Sequence, residues 1–280
     1  MNDHHRNAAK RILSLLLTIL LLWLTSGCGA PATGTPAGAA NAKLTVMAAA
    51  SLLDAFDDLG AQFQASHPGV KVEFNFAGSQ QLAQQIASGA PADVFASANQ
   101  AQMDVAVKTG RIDNKLAKNF AQNRLVVIFP GDNPAKLARL QDLARPGLKL
   151  VFAAKGVPVG QYSLDFLQKA SQDPAFGAGF DASVLKNVVS YEDNVKAVLT
   201  KVSLGEADAG IVYTTDAAGA SSAKVGELAI PDALNVIASY PIAPLQDSPH
   251  LALAQAFVDF ALSVQGQATL EKYGFIPVNQ

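Results

Sequence analysis

The stretch AAASLLDAFDDLGAQF, Ala48 to Phe63, decides how the rest of the chain is read. Three small apolar residues run into a serine, and an amphipathic pattern begins at once. With the residues before it, KLTVMAAA reads as a buried strand and SLLDAFDDLGAQFQASH as a helix stopped by Pro68-Gly69. Ser51 then stands at the carboxyl end of the first strand and heads a helix. Serine is a favoured helix cap, and Ser51-Leu52-Leu53-Asp54 fits a capping-box pattern. The same position suits a ligand. In open α/β sheets ligands bind beyond the carboxyl ends of strands, and a helix start offers unpaired N–H groups with about half a positive charge. A hydroxyl carries one donor and two acceptor sites, so Ser51 can serve both roles.

Outward from this stretch, strands and helices alternate. VKVEFNFA reads as a strand, SQQLAQQIASG as a helix closed by Gly89, ADVFASA as a strand, and NQAQMDVAVKTG as a helix ending at glycine. This order calls for a parallel sheet covered on both faces. NRLVVIFP, from Asn123 to Pro130, opens a second group. LKLVFAAKG and ADAGIVYTT read as strands there, with helices over VGQYSLDFLQKAS and EDNVKAVLTKVSLG. LNVIASYPIAPL is a further long strand, and one or two helices follow to the end. The expected fold class is therefore α/β, with two doubly wound lobes, a cleft between them and two hinge crossings. Residues 43–122 plus 240–280 form the first lobe and 123–239 the second.

The first thirty residues are a different object. A basic start precedes ILSLLLTILLLWL, an apolar run from Ile12 to Leu24 interrupted only by Ser14 and Thr18. It is short for a membrane span of about 20 residues and fits the core of a signal peptide over residues 1–27. LTSGC then ends at Cys28, the only cysteine in the protein, a pattern that resembles the lipobox of bacterial lipoproteins. Residues 28–42, rich in Gly, Ala, Pro and Thr, read as a lipidated cysteine followed by a flexible tether. Removing the first 27 residues takes Arg6, Lys10, Arg11 and Asp3 from 21 basic and 23 acidic side chains, leaving 18 and 22. So mild a charge implies no nucleic-acid partner. The mature chain is expected outside the cytoplasm, membrane-anchored by lipid, as a monomer.

Export also narrows the chemistry. The mature histidines are His67 and His250, far apart in sequence and each in a polar, turn-like setting. A zinc site needs about four closely placed N, S or O ligands, and none is visible. Neither a GxSxG elbow nor a P-loop occurs. An exported hydrolase would have to use His67 or His250 as its base.

Several motifs resemble the periplasmic molybdate-binding proteins of bacterial ABC transporters, a type II solute-binding family. They are AAASLLDAFDDLGAQF, FAGSQQLAQQIASGAPADVFASAN, NRLVVIFP, VPVGQY, EDNVKAVL, ADAGIVYTTDA and the closing YGF, in the family's order through the whole mature chain. The resemblance implies two lobes closing on molybdate or tungstate, delivery to a membrane permease, no catalysis and no cofactor. It implies Ser51, Ser79, Val159, Val195 and Tyr213 as contacts to the anion's oxygens, with no direct metal ligand. Each also has a plain structural reading. Ser79, in FAGSQQL, repeats the strand–serine–helix arrangement and is a natural cap. Val159 belongs to a Pro/Gly turn, Val195 follows two acids at a helix start, and Tyr213 ends a buried strand. Asp93 reads as a structural acid bonded to nearby backbone. Other ligands remain open beside molybdate: sulfate, phosphate or a small carboxylate.

Overall fold

The computed structural model describes residues 42–219 and 225–278; the signal segment, Cys28 and the tether up to residue 41 lie outside the described residues. Two mixed sheets organise the described chain. The first contains β1 (Lys43–Ala49), β2 (Lys71–Ala77), β3 (Val94–Ala96), β4 (Lys118–Asn123), β10 (Ala238–Pro244) and β11 (Ile276–Pro277), in the order β11-β4-β10-β3-β1-β2. The second contains β5 (Leu125–Pro130), β6 (Leu150–Ala153), β7 (Val188–Glu192), β8 (Ala209–Tyr213) and β9 (Val225–Ala229), in the order β7-β6-β8-β5-β9. In both, the strands that carry the crossover helices run parallel, and the strands that follow a crossing run antiparallel to their neighbours.

β1 lies between β3 and β2 and is buried from Val46 to Ala49, which explains the apolar run there. Its register with β2 brings Ala49 beside Ala77, so both strands end level and their following helices start at one edge. Helix α1 (Leu53–Ser66) buries Ala55, Phe56, Leu59, Gly60 and Phe63 along one stripe. Phe56 meets Phe74, Phe120 and Phe257 at ring-centroid distances of 5.9, 5.6 and 6.0 Å. Phe257 lies on α8 (Leu251–Leu262), so the C-terminal helices, α8 and α9 (Val264–Lys272), pack against the first sheet. The remaining helices are α2 (Ser79–Ala87), α3 (Gln100–Lys108), α4 (Pro158–Gln172), α5 (Phe180–Lys186), α6 (Val195–Ser203) and α7 (Thr214–Ala218).

Three features differ from the sequence reading. NRLVVIFP is not one strand: Asn123 ends β4 in the first sheet and Leu125 starts β5 in the second, with Arg124 between them. β7 and β9, both sheet edges, were not expected, because half-exposed edge strands lack a continuous apolar signal. The first helix also begins differently. A 3₁₀ turn over Ala50–Leu52 precedes α1, whose cap residue is Leu52, and no side chain caps either turn. Ser51 is therefore not the cap that its capping-box spacing predicts.

β10 carries a register shift between Tyr240 and Pro241, where proline has no N–H to give the ladder. Asp93, as expected of a structural acid, ties strands together. It accepts from the Thr45 N–H at 2.6 Å and the Ser248 hydroxyl at 2.5 Å, and it is buried. Asp93→Ala leaves both donors unpaired, at about 2–4 kcal/mol in total, and should lower the thermal midpoint by roughly 5–10 °C. Differential scanning calorimetry checks this.

Candidate functional site

Helix starts from both sheets converge on one small cavity of about 10 Å³. From the first sheet come Ala49, Ala50 and Ser51 after β1, Ala77, Gly78 and Ser79 after β2, and Ala98 after β3. From the second come Val157, Pro158 and Val159 at the start of α4, Asn194 and Val195 at the start of α6, and Tyr213 at the end of β8. All five residues singled out from the sequence (Ser51, Ser79, Val159, Val195 and Tyr213) line this one space, each no more than 5% exposed. His67 and His250 do not line it. The His67 ring stacks on Phe63 at 4.0 Å, with Nδ1 3.0 Å from the Phe63 carbonyl oxygen, as a satisfied surface histidine would.

No lining residue is charged, and what the walls offer is donors. The first N–H groups of a helix have no partner within it. Gly78 caps α2, so the Ser79 and Gln80 N–H groups are such orphans. Val157 caps α4 with Pro158 next, where a missing N–H costs nothing, leaving the Val159 and Gly160 N–H groups. Asn194 caps α6 through its side chain, which accepts from the Ala197 N–H at 3.0 Å, leaving Val195 and Lys196. Asn194 escaped the sequence reading, which looked to Glu192 and Asp193; its cap-preferring residue type was the available signal.

The three hydroxyls differ in their partners. Ser79 is the first residue of α2 rather than its cap, and its Oγ accepts from the Ala98 N–H at 3.0 Å. An N–H cannot accept, so the Ser79 proton is left to donate. Ser51 Oγ lies 3.0 Å from the Tyr240 hydroxyl. The Tyr213 hydroxyl is buried and finds no hydrogen-bond partner among the described residues. Burial pushes its pKa well above the ordinary tyrosine value, so it keeps its proton. A fully buried, unpaired phenol facing a cavity is costly unless a ligand accepts from it.

The nearest basic side chain in sequence is withdrawn from the cavity. Lys196 Nζ is 3.0 Å from Asp54 and 3.1 Å from Asp216, a carboxylate with no exposed surface. Burial works against the Lys196 ammonium, but Asp216 and Asp54 outweigh it and hold its pKa above the ordinary lysine value. Burial raises the Asp216 pKa, with Lys196 opposing.

The cleft is closed across its rim. Gln80 Nε2 donates to the Asp193 carbonyl at 2.8 Å, Gln102 Nε2 to the Gly156 carbonyl at 3.2 Å, and the Tyr162 hydroxyl to the Ala98 carbonyl at 3.4 Å. A Cβ on Gly78 would come within 2.3 Å of the Asp193 carbonyl oxygen, so only glycine lets the two sides approach this closely. Such an assembly of neutral donors and helix starts can replace the hydration shell of a small anion.

The family of bacterial extracellular solute-binding proteins matches residues 44–276. The Molybdate-binding protein ModA of Mycobacterium tuberculosis (strain ATCC 25618 / H37Rv) is 40% identical over 251 residues, covering 89% of this chain and 90% of that protein. Among solved structures, the periplasmic molybdate-binding protein of Azotobacter vinelandii superposes with a TM-score of 0.72 at 19% identity, over 84% of this chain and 100% of that one. The sulfate-binding protein SubI of Mycobacterium tuberculosis H37Rv superposes with a TM-score of 0.76 at 22% identity, over 85% of this chain and 88% of that one. These two structures establish the two-lobed fold and no more, since similar folds carry names with different anions.

Donors that do not titrate near neutrality give a pH-flat site. Binding of a proton-free dianion should change by less than about threefold between roughly pH 7 and 9, as read by isothermal titration calorimetry. A steep loss over that range would place a titrating cation at the anion.

Proposed function

Because the chain belongs to the bacterial extracellular solute-binding proteins, we propose that it captures molybdate or tungstate outside the cytoplasm and delivers it to an ABC transporter permease. The observation that carries this reading is the cavity itself, with donors from both sheets and no charged side chain in its lining. The five contacts are Ser51 and Tyr213 through hydroxyls, Ser79 through hydroxyl and N–H, and Val159 and Val195 through N–H. No catalytic group and no resident cofactor enters the scheme.

The chemistry of the donors selects the guest. A fully deprotonated tetrahedral dianion accepts at every oxygen. Hydrogen phosphate brings a proton that must face a donor, and an unmatched buried polar group costs about 1–3 kcal/mol. Sulfate has shorter bonds, so its oxygens fall short of some donors in a cavity closed around a larger anion. The side chains of Val159 and Val195 matter less than their N–H groups, although a valine narrows the pocket more than an alanine would.

Capture proceeds by closure. We take residues 43–122 with 240–280 as one moving lobe and 123–239 as the other, hinged at the passages between sheets. The anion gains its full donor set only when both lobes face it, so binding favours the closed form by its differential affinity. Cys28, its sulfur acylated before residues 1–27 are removed, would hold the protein at the membrane while the tether lets it reach the permease. It works as a monomer in this scheme.

Calorimetry with molybdate, tungstate, sulfate and phosphate tests the reading. Molybdate and tungstate should bind at least about tenfold, or ~1.4 kcal/mol, tighter than the other two. Sulfate binding more tightly than molybdate would overturn the choice of ligand. Ser51→Ala and Tyr213→Phe should each weaken molybdate binding by about tenfold or more. His67→Ala and His250→Ala should leave it unchanged.

A further inference from the structure

The geometry points to Tyr240 as a positioning residue that sets the direction of the Ser51 hydroxyl, through a donor relay running from the hinge into the cavity. Neither Tyr240 nor Asn123, its source, lines the cavity. The relay presupposes that the cavity holds an oxyanion.

The direction of each bond follows from one fixed point. The Asn123 side chain is buried at the end of β4, and its Oδ1 receives the Arg124 N–H at 2.9 Å and the Thr214 hydroxyl at 3.0 Å. A backbone N–H can only donate, so the atom facing it is the amide oxygen and the other end is the NH₂. That NH₂ donates to Thr215 Oγ1 at 2.8 Å and reaches the Tyr240 hydroxyl at 3.5 Å, a long contact at the limit of a hydrogen bond. An NH₂ cannot accept, so the Tyr240 proton must point elsewhere. Ser51 Oγ, 3.0 Å away, is the partner the structure gives it.

Tyr240 has no exposed surface, and burial raises its pKa above the tyrosine norm, so it remains a donor at any ordinary pH. Once Tyr240 donates to Ser51 Oγ, the serine proton is free to turn into the cavity. Ser79 reaches the same state by a simpler route, through the Ala98 N–H. The two serines are thus held as donors, one by backbone and one by a relay. Without the relay the Ser51 hydroxyl can rotate and present a lone pair, which suits a protonated anion.

The relay also spans the fold. Asn123 sits where the chain leaves the first sheet, Thr214 and Thr215 open α7 after the Tyr213 contact, and Tyr240 lies on β10 just after the chain returns. The polarity of Ser51 is therefore set at the passage where the lobes join.

The test is a double-mutant cycle on the purified protein, read by calorimetry with molybdate and with phosphate at neutral pH. Tyr240→Phe keeps the ring, whose centroid lies 5.8 Å from Tyr213, 6.4 Å from Phe120 and 5.5 Å from Phe275. It should weaken molybdate about fivefold to twentyfold and narrow the preference for molybdate over phosphate. In a Ser51→Ala background the same substitution should change molybdate affinity less than about twofold, because its target is gone. Equal losses in both backgrounds would mean that Tyr240 acts by packing, and would overturn the relay. So would wild-type affinity and selectivity in Tyr240→Phe. If that variant melts too low for titration, Asn123→Ser tests the relay at its source, with the same narrowing expected and unchanged selectivity counting against it. Should Ser51→Ala bind molybdate as tightly as wild type, the oxyanion contact falls and the relay with it. Weakening by Ser51→Ala but not by Tyr240→Phe removes the relay alone.

Discussion

The starts of several helices, where backbone N–H groups have no partner within the helix, line one small space, and the rest of the structure is arranged around that fact. Each helix start is a partial positive charge, and like charges brought together repel unless something negative stands between them. The strands supply the convergence: β1 and β2 end level, and small residues after them let the helices begin close to the cavity. At Gly160 the approach is tighter still, since a Cβ there would lie 2.1 Å from the Ala154 carbonyl oxygen. Closing such a cleft would be unfavourable for the protein alone and favourable around an anion, which under the proposed function would couple capture to lobe movement without any dedicated switch.

The passages between the sheets are tied to each other. Asn235, buried on the return segment, accepts from the Leu125 N–H at 3.0 Å and the Val236 N–H at 2.8 Å. Its amide donates to the Leu125 carbonyl at 2.9 Å and the Ile230 carbonyl at 3.2 Å. One side chain thereby clamps the outgoing segment against the returning one, while Asn123 a few residues away joins β4 to α7. Two asparagines suit a hinge because an amide offers both donors and acceptors to backbone groups that no sheet ladder satisfies. The clamp fixes where the chain bends without filling the cleft with charge.

Much of this was legible in the sequence, and the reasons for the gaps are physical. Buried parallel strands announce themselves as apolar runs, so β1 and β8 stand out, and a serine or tyrosine at their carboxyl ends is an obvious candidate for the cleft. That inference uses only local order along the chain. Edge strands β7 and β9 carry no such signal. Ser51 shows the limit in another way: its spacing to Asp54 matches a cap, yet its hydroxyl turns to Tyr240, 189 positions away. No local pattern can weigh a partner that distant. Tyr240 itself reads as one more apolar residue of a strand before proline, and Asn123 as a polar strand end. Their roles exist only once two crossings lie side by side.

The placement of Lys196 keeps its charge out of the cavity in a protein with no shortage of lysine. Its N–H belongs to the α6 start, while its ammonium is led away to Asp54 and Asp216. An ammonium in the cavity would attract any anion, protonated or not, and would keep its hold as the lobes reopen. Neutral donors act only at hydrogen-bond distance and only in the right number, so their attraction collapses as soon as the lobes part. A carrier must release its cargo as well as capture it. A donor set that is complete in the closed form and divided between lobes in the open one meets both needs, whereas a buried cation would meet only the first.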